Sequence, residues 1–156
     1  MLSQNVAVIV LNAQTREVLL RRQGFRAWSL PGGQMEAGET WEAAAVRKAL
    51  EATGYRIEVE RLVGRYWRSQ WPEGDELTYV ALARILSDAP HALHRETPVT
   101  WFPIMALPRS LNRFGRVSIA DAVSEYPFAV QRPLDVVPHE ALLFRLWRLI
   151  SRLFKR

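Results

Sequence analysis

Pro31-Gly32-Gly33-Gln34-Met35-Glu36-Ala37-Gly38-Glu39-Thr40-Trp41-Glu42 is a Pro-Gly-Gly turn followed by a short loop. It leads into a helix that closes at Glu51-Ala52-Thr53-Gly54-Tyr55. Pro31 fixes its own φ, and the two glycines after it allow a tight turn and a close backbone approach. Thr40 is suited to cap the helix, and Glu42 lies in the first turn, where the helix dipole favours an anion. Ala43, Ala44, Ala45, Arg47, Lys48, Ala49 and Leu50 are good helix formers, and Gly54 is the usual residue just past a helix end. The spacing therefore predicts loop, capped helix and glycine stop in one unit.

This stretch resembles the signature box of the Nudix superfamily, hydrolases of nucleoside diphosphates linked to another group. The box is a Gly, five spacers, a Glu, seven spacers, then Arg-Glu-apolar-x-Glu-Glu-x-Gly-apolar. Gly33, Glu39, Arg47 and Gly54-Tyr55 stand at matching places. Several fixed positions at two long spacings make the signal specific. Val18-Leu19-Leu20-Arg21-Arg22 and Trp28-Ser29-Leu30 look like the family's strand pair leading into the box. The resemblance runs from Asn5 to Leu107 and implies an α/β fold, an α/β/α sandwich around a mixed β-sheet. It also implies a nucleotide-type ligand and Mg²⁺. Glu51 would be metal ligand and catalytic residue, with the Gly32 carbonyl beside it and Glu39 braced against Arg47. Glu96, five residues before Trp101, stands where many relatives place a glutamate that joins the metal cluster or acts as general base.

The box departs from the family pattern at its carboxylates, reading Arg47-Lys48-Ala49-Leu50-Glu51-Ala52. Positions 48, 51 and 52 share one helical face. Relatives carry three carboxylates there; this chain has one cation, one anion and one methyl. Mg²⁺ requires hard oxygen ligands in near-octahedral geometry, so weak Mg²⁺ binding is expected without ligand. Three consequences stay open. Hydrolysis is lost and Lys48 is a solvated or salt-bridged surface residue; or Lys48 offers its charge directly to a phosphate, with Gly32 and Gly33 alongside; or Glu36, Glu39 and Glu96 rebuild a site.

The chain's 156 residues suit one domain with a real core, and its 49% apolar content excludes disorder. It has no cysteine, so neither disulfides nor thiolate metal sites arise. Met1 to Asn5 lacks the basic region and apolar run of a signal peptide, and no apolar stretch approaches membrane-spanning length. A cytoplasmic protein is the expectation. The formal net charge is +5, but five basic residues against Glu140 put most of it after His139. No nucleic-acid-binding face is predicted for the core.

Val6 to Leu11 is a nearly continuous apolar run, as in a strand buried on both faces. Glu17–Arg22, Arg56–Glu60, Leu62–Arg68 with Gly64 as a bulge, Leu77–Ile85 and Val99–Ile104 read as further strands. Pro72 to Asp75 is a turn signal, and 87–98 a polar loop containing His91 and His94. Arg65, Tyr66, Trp67, Arg68 and Trp71 gather near the hairpin. Arg65 and Trp67 are candidate ligand contacts, a shelf for a base with a cation for phosphate. Cross-strand packing is the favoured alternative. Trp28 and Trp41 are expected in the core.

The expected organisation is a domain over 1–126, a proline-containing connection over 127–138 and a basic amphipathic helix over 139–156. The five basic side chains of that helix fall within an arc of about 100°, and Leu, Phe, Trp and Ile cover most of the rest. Docking on its own domain and a homodimer through the helix are favoured over a membrane surface, because buried C-terminal helices are the commoner outcome. Deleting the residues after Pro138 is expected to cause aggregation or change the oligomeric state. A soluble, equally stable monomer with and without the tail, seen by light scattering and thermal melts, would dismiss the interface.

Overall fold

The computed structural model describes residues 2–70, 74–86, 98–124 and 126–134. In chain order these form β1 (Ser3–Asn12), β2 (Glu17–Gln23), β3 (Ala27–Ser29), β4 (Gly32–Gln34), α1 (Trp41–Thr53), β5 (Ile57–Gln70), β6 (Gly74–Ile85) and β7 (Val99–Pro103). A 3-10 turn over Ile104–Ala106, α2 (Arg113–Val123) and β8 (Val130–Pro133) follow.

The apolar run near the N-terminus is the central strand of a mixed sheet ordered β3-β2-β1-β6-β5-β8. Successive side chains of a strand point to opposite faces. Ala7 and Ile9 accordingly join one core cluster, with Val18, Leu20, Tyr66, Val80 and Ile119. Val6, Val8 and Val10 join the other, with Ala44, Ala45, Ala49 and Ala81. A strand covered on both faces has little room for polar positions, which is why its sequence hardly alternates. β1 runs parallel to β6 and antiparallel to β2 and β4, so the sheet is mixed as expected.

α1 covers one face. The Thr40 side chain accepts a hydrogen bond from the Ala43 N–H, and left-handed Gly54 donates its N–H to Leu50 O. The buried stripe Ala44, Ala45, Ala49 and Thr53 is small, so the helix lies close to the sheet. α2 covers the other face through Ile119 and Ala122. Together they give the α/β/α layers.

Three features differ from the sequence expectation. β5 is one strand, not two: register shifts at Val59/Arg61 and Leu62/Gly64 bulge it without ending its pairing to β6. α2 has no counterpart in the sequence reading. The segment expected only as a connection contains β8, which pairs parallel with β5 at the end of the strand order, so β7 is not the last strand of the chain. Trp71, Pro72, Glu73, His91, His94, Glu96, Glu125 and everything from 135 onward lie outside the described residues, the expected C-terminal helix included.

β4 pairs with β1 through Ala7↔Gly32, Val6↔Gly33 and Asn5↔Gln34. A methyl group on Gly32 would lie 2.2 Å from Val6 O and 2.9 Å from Ala7 Cα. Both neighbours are backbone, so relief requires moving a strand. Gly32→Ala is expected to destabilise the fold by about 1–3 kcal/mol or more, read as a lower urea midpoint at unchanged slope.

Candidate active site

The loop before α1 and the helix's solvent-facing side build a charged cluster around Arg47. The Glu39 carboxylate accepts from Arg47 Nε at 2.8 Å and Nη2 at 2.6 Å, a bidentate pair, and from the Glu36 N–H at 2.9 Å. Arg47 Nη1 donates to Glu51 Oε1 at 3.0 Å, one helical turn on. Glu36 stands 3.6 Å from the same Nη1. Lys48 Nζ donates to Glu51 Oε2 at 2.8 Å. The stem of Lys48 runs past Gly33, where an added methyl would come within 3.2 Å of Cδ and Cε. Two sequence-predicted groups, Glu39 with Arg47 and Lys48 with Glu51, thus meet at the Gly32–Gly33 turn.

The hydrogen bonds from Arg47 and from the Glu36 backbone stabilise the ionised Glu39 carboxylate and pull its pKa down to about 2. Lys48 and then Arg47 lower Glu51 against the desolvation that opposes them. The pair with Glu39 raises Arg47 above its ordinary value. Glu39, Glu51 and Arg47 therefore hold their charges at neutral pH.

This donor set does not fit a protein-held Mg²⁺. Both Glu51 oxygens are engaged by cations, Lys48 is an ammonium and Ala52 offers nothing. Among the described residues no group of three or more His, Cys, Asp or Glu side chains is placed to hold a metal ion. Glu96 lies outside the described residues.

On the other side of the Gly32–Gly33 strand is a cavity of about 220 Å³. Its walls include Arg21 and Ser29, which face each other across β2 and β3. Arg21 Nε and Ser29 Oγ are buried without a hydrogen-bond partner. An unpaired buried donor normally costs 1–3 kcal/mol or so, which a ligand oxygen in the cleft would recover. Asn112 also lines the cleft, with its Oδ1 held by the Gly115 N–H at 2.8 Å as the cap of α2. Arg68 and Glu76, paired at 3.0 Å, form another part of the wall.

Arg65 and Trp67 are placed elsewhere. Tyr66 packs into the α2-side core and Tyr79 against the α1-side core. Alternation along β5 then puts Arg65 and Trp67 on the α1 side, away from the cleft. Arg65 stacks over Tyr79, with Cζ 5.7 Å from the ring centroid, as a hairpin cross-strand contact does. Arg68, two positions from Tyr66, is the hairpin arginine that reaches the cleft. Arg21, Ser29 and Asn112, which line the cleft, were not among the residues singled out from the sequence as ligand contacts. Their signal was slight: a charge closing the apolar strand Val18–Leu20, and a cap residue before an unrecognised helix.

The family profile described as NUDIX domain matches residues 1–122. The chain belongs to the Nudix family. Among curated relatives, the human "8-oxo-dGDP phosphatase NUDT18" is 30% identical over 151 residues, covering 89% of this chain and 45% of that protein. The "MutT-like protein" of Streptomyces ambofaciens is 41% identical over 64 residues, covering 41% of this chain and 42% of its own length. The chain spans about half the length of the curated relatives it matches. In fold, a crystal structure of a NUDIX hydrolase from Nitrosomonas europaea superposes with a TM-score of 0.69 at 20% identity, covering 86% of this chain and 79% of that one. No helix among the described residues is long and apolar enough to cross a membrane.

Folding lowers the Glu39 pKa from 4.5 to about 2. Its pairing thus contributes stability that is complete above the unfolded value and lost as the pH falls toward 2. The melting temperature of wild type should exceed that of Glu39→Gln by a constant margin at neutral pH. The margin should shrink below about pH 4.5 and close near 2. A margin independent of pH down to that point would show that the Glu39–Arg47 ion pair is not what stabilises the loop.

Proposed function

We propose that the chain binds a nucleoside diphosphate linked to another group, and that its Mg²⁺-dependent pyrophosphohydrolase activity is weakened. The observation that carries this is the double pairing of Glu51 with Arg47 and Lys48 at box positions where relatives concentrate negative charge. In this reading Lys48 and Arg47 present positive charge to the diphosphate, and Glu39 holds the Arg47 fork in place. Arg21 and Ser29 offer their unpaired polar atoms to oxygens of the remaining part of the ligand. The phosphatase and MutT-like names of the two relatives support oxidised guanine nucleotides as the first to try.

A catalytically silent nucleotide-binding or interaction module is the second reading. It is favoured by one fact: Glu51, the carboxylate left among positions 48, 51 and 52, has neither oxygen free of a cation. Glu51 would then serve as the counter-ion that keeps Lys48 and Arg47 in position for phosphate.

Turnover against 8-oxo-dGTP, 8-oxo-dGDP and a panel of nucleoside diphosphate conjugates, with Mg²⁺ and with Mn²⁺, separates the two. It is run beside the double variant Lys48→Glu, Ala52→Glu. Metal charge contributes several kcal/mol to such transition states, so the double variant should exceed wild type by about a hundredfold or more. Wild type matching the repaired protein would overturn the weakened-site reading. Activity confined to the repaired protein, with wild type stabilised thermally by the same nucleotides, would establish the silent module.

A further inference from the structure

We propose that β8, which lies beyond the matched family region, is a specificity element of the cleft: a lock of Arg132, Asp121 and Tyr66 sets Leu134 as the apolar wall against which the ligand's base lies. This rests on the nucleotide-binding reading above.

The lock is built from three elements. Asp121 of α2, only 5% exposed, accepts at Oδ2 from the Tyr66 hydroxyl of β5 at 2.8 Å and at Oδ1 from Arg132 Nη2 of β8 at 2.9 Å. One buried carboxylate thus ties helix, inner strand and outer strand together, and removing any partner leaves a charge or a donor uncompensated. The backbones of β5 and β8 are also tightly apposed. A methyl on Gly64 would lie 2.7 Å from Val130 O, and the Leu134 N–H donates to Trp67 O at 2.6 Å. The ladder therefore extends one residue past β8 and delivers Leu134 at a fixed height.

Leu134 packs against the α2-side core and lines the cavity together with Phe114, whose ring meets Tyr66 edge-on at 5.5 Å. The cavity so formed is lined by the apolar Phe114 and Leu134 and by polar groups of Arg21, Ser29 and Asn112. That is the division a heterocyclic base requires: flat apolar faces and a hydrogen-bonding edge. Its volume of about 220 Å³ falls below the ~300–1,000 Å³ of sites that enclose drug-sized ligands. One ring system fits better than a whole dinucleotide. Since Lys48 sits on the far side of Gly33, the diphosphate and the base would be read by different parts of the chain.

The test compares affinities of full-length wild type, Leu134→Trp, Leu134→Ala, Arg132→Ala and Arg132→Lys by calorimetric titration. Probes are dGDP, ADP and UDP, with inorganic pyrophosphate as the control that has no base. Leu134→Trp should weaken the nucleotides by about tenfold, equivalent to ~1.4 kcal/mol, and leave pyrophosphate within about twofold. Leu134→Ala should compress the differences among the three bases. Arg132→Ala should follow Leu134→Trp in part, and Arg132→Lys, which keeps a donor for Asp121, should restore most of the loss. Nucleotides and pyrophosphate weakening together would show that β8 only supports the fold and would overturn the proposal. Base preference unchanged in both Leu134 variants would overturn it as well, with the nucleotide reading intact. Wild type binding no nucleotide better than pyrophosphate would instead remove the nucleotide reading, and this inference with it.

Discussion

The close contact of Gly32 with the backbone of β1 fixes the geometry of everything around it. Because no side chain intervenes, β4 lies directly on Val6 and Ala7, and the strand becomes a thin partition. On one side of it lies Lys48 with its partners; on the other lies the cavity with Arg21 and Ser29. A ligand that used both would have to pass over two residues without side chains. The Pro-Gly-Gly turn is thus more than a route into the helix.

The helix that follows pairs its charges within the chain. A carboxylate row facing solvent attracts divalent ions because nothing else neutralises it. In this chain Arg47 and Lys48 neutralise Glu39 and Glu51 internally, at distances between 2.6 and 3.0 Å. An arriving Mg²⁺ would have to displace ammonium and guanidinium groups from Glu51 and then find its remaining ligands elsewhere. The same pairing keeps the box loop in shape without metal, because Glu39 is held both by the Arg47 fork and by the backbone at Glu36.

Much of this was legible in the sequence, for identifiable reasons. α1 announced itself because its cap, its alanines and its terminal glycine agree locally, and β1 because a doubly covered strand leaves an uninterrupted apolar run. α2 was hidden because its buried stripe carries Gly115, Ser118 and Asp121 beside Ile119 and Ala122, so its inward face does not look apolar. β8 was hidden by Pro127 before it and Pro133 at its end, and by a pairing partner more than sixty positions earlier. The cleft draws Arg21, Ser29 and Asn112 from separate segments, which no local motif could unite. Which face of β5 Arg65 and Trp67 take was not readable from a strand whose register two bulges shift.

The parallel pairing of β1 with β6 has a consequence for how the chain is made. Ser3 meets Glu76 and Val10 meets Ala83, and this is the ladder that seats the N-terminal strand at the centre of the sheet. On a ribosome, this apolar strand emerges some seventy residues ahead of its principal neighbour. β2 and β4 offer it short antiparallel contacts in the meantime, at opposite ends. A long loop must close before that contact repays its entropy. Until β6 arrives, the nascent chain therefore carries a hydrophobic strand with most of one edge unpaired, the kind of surface that chaperones exist to shield.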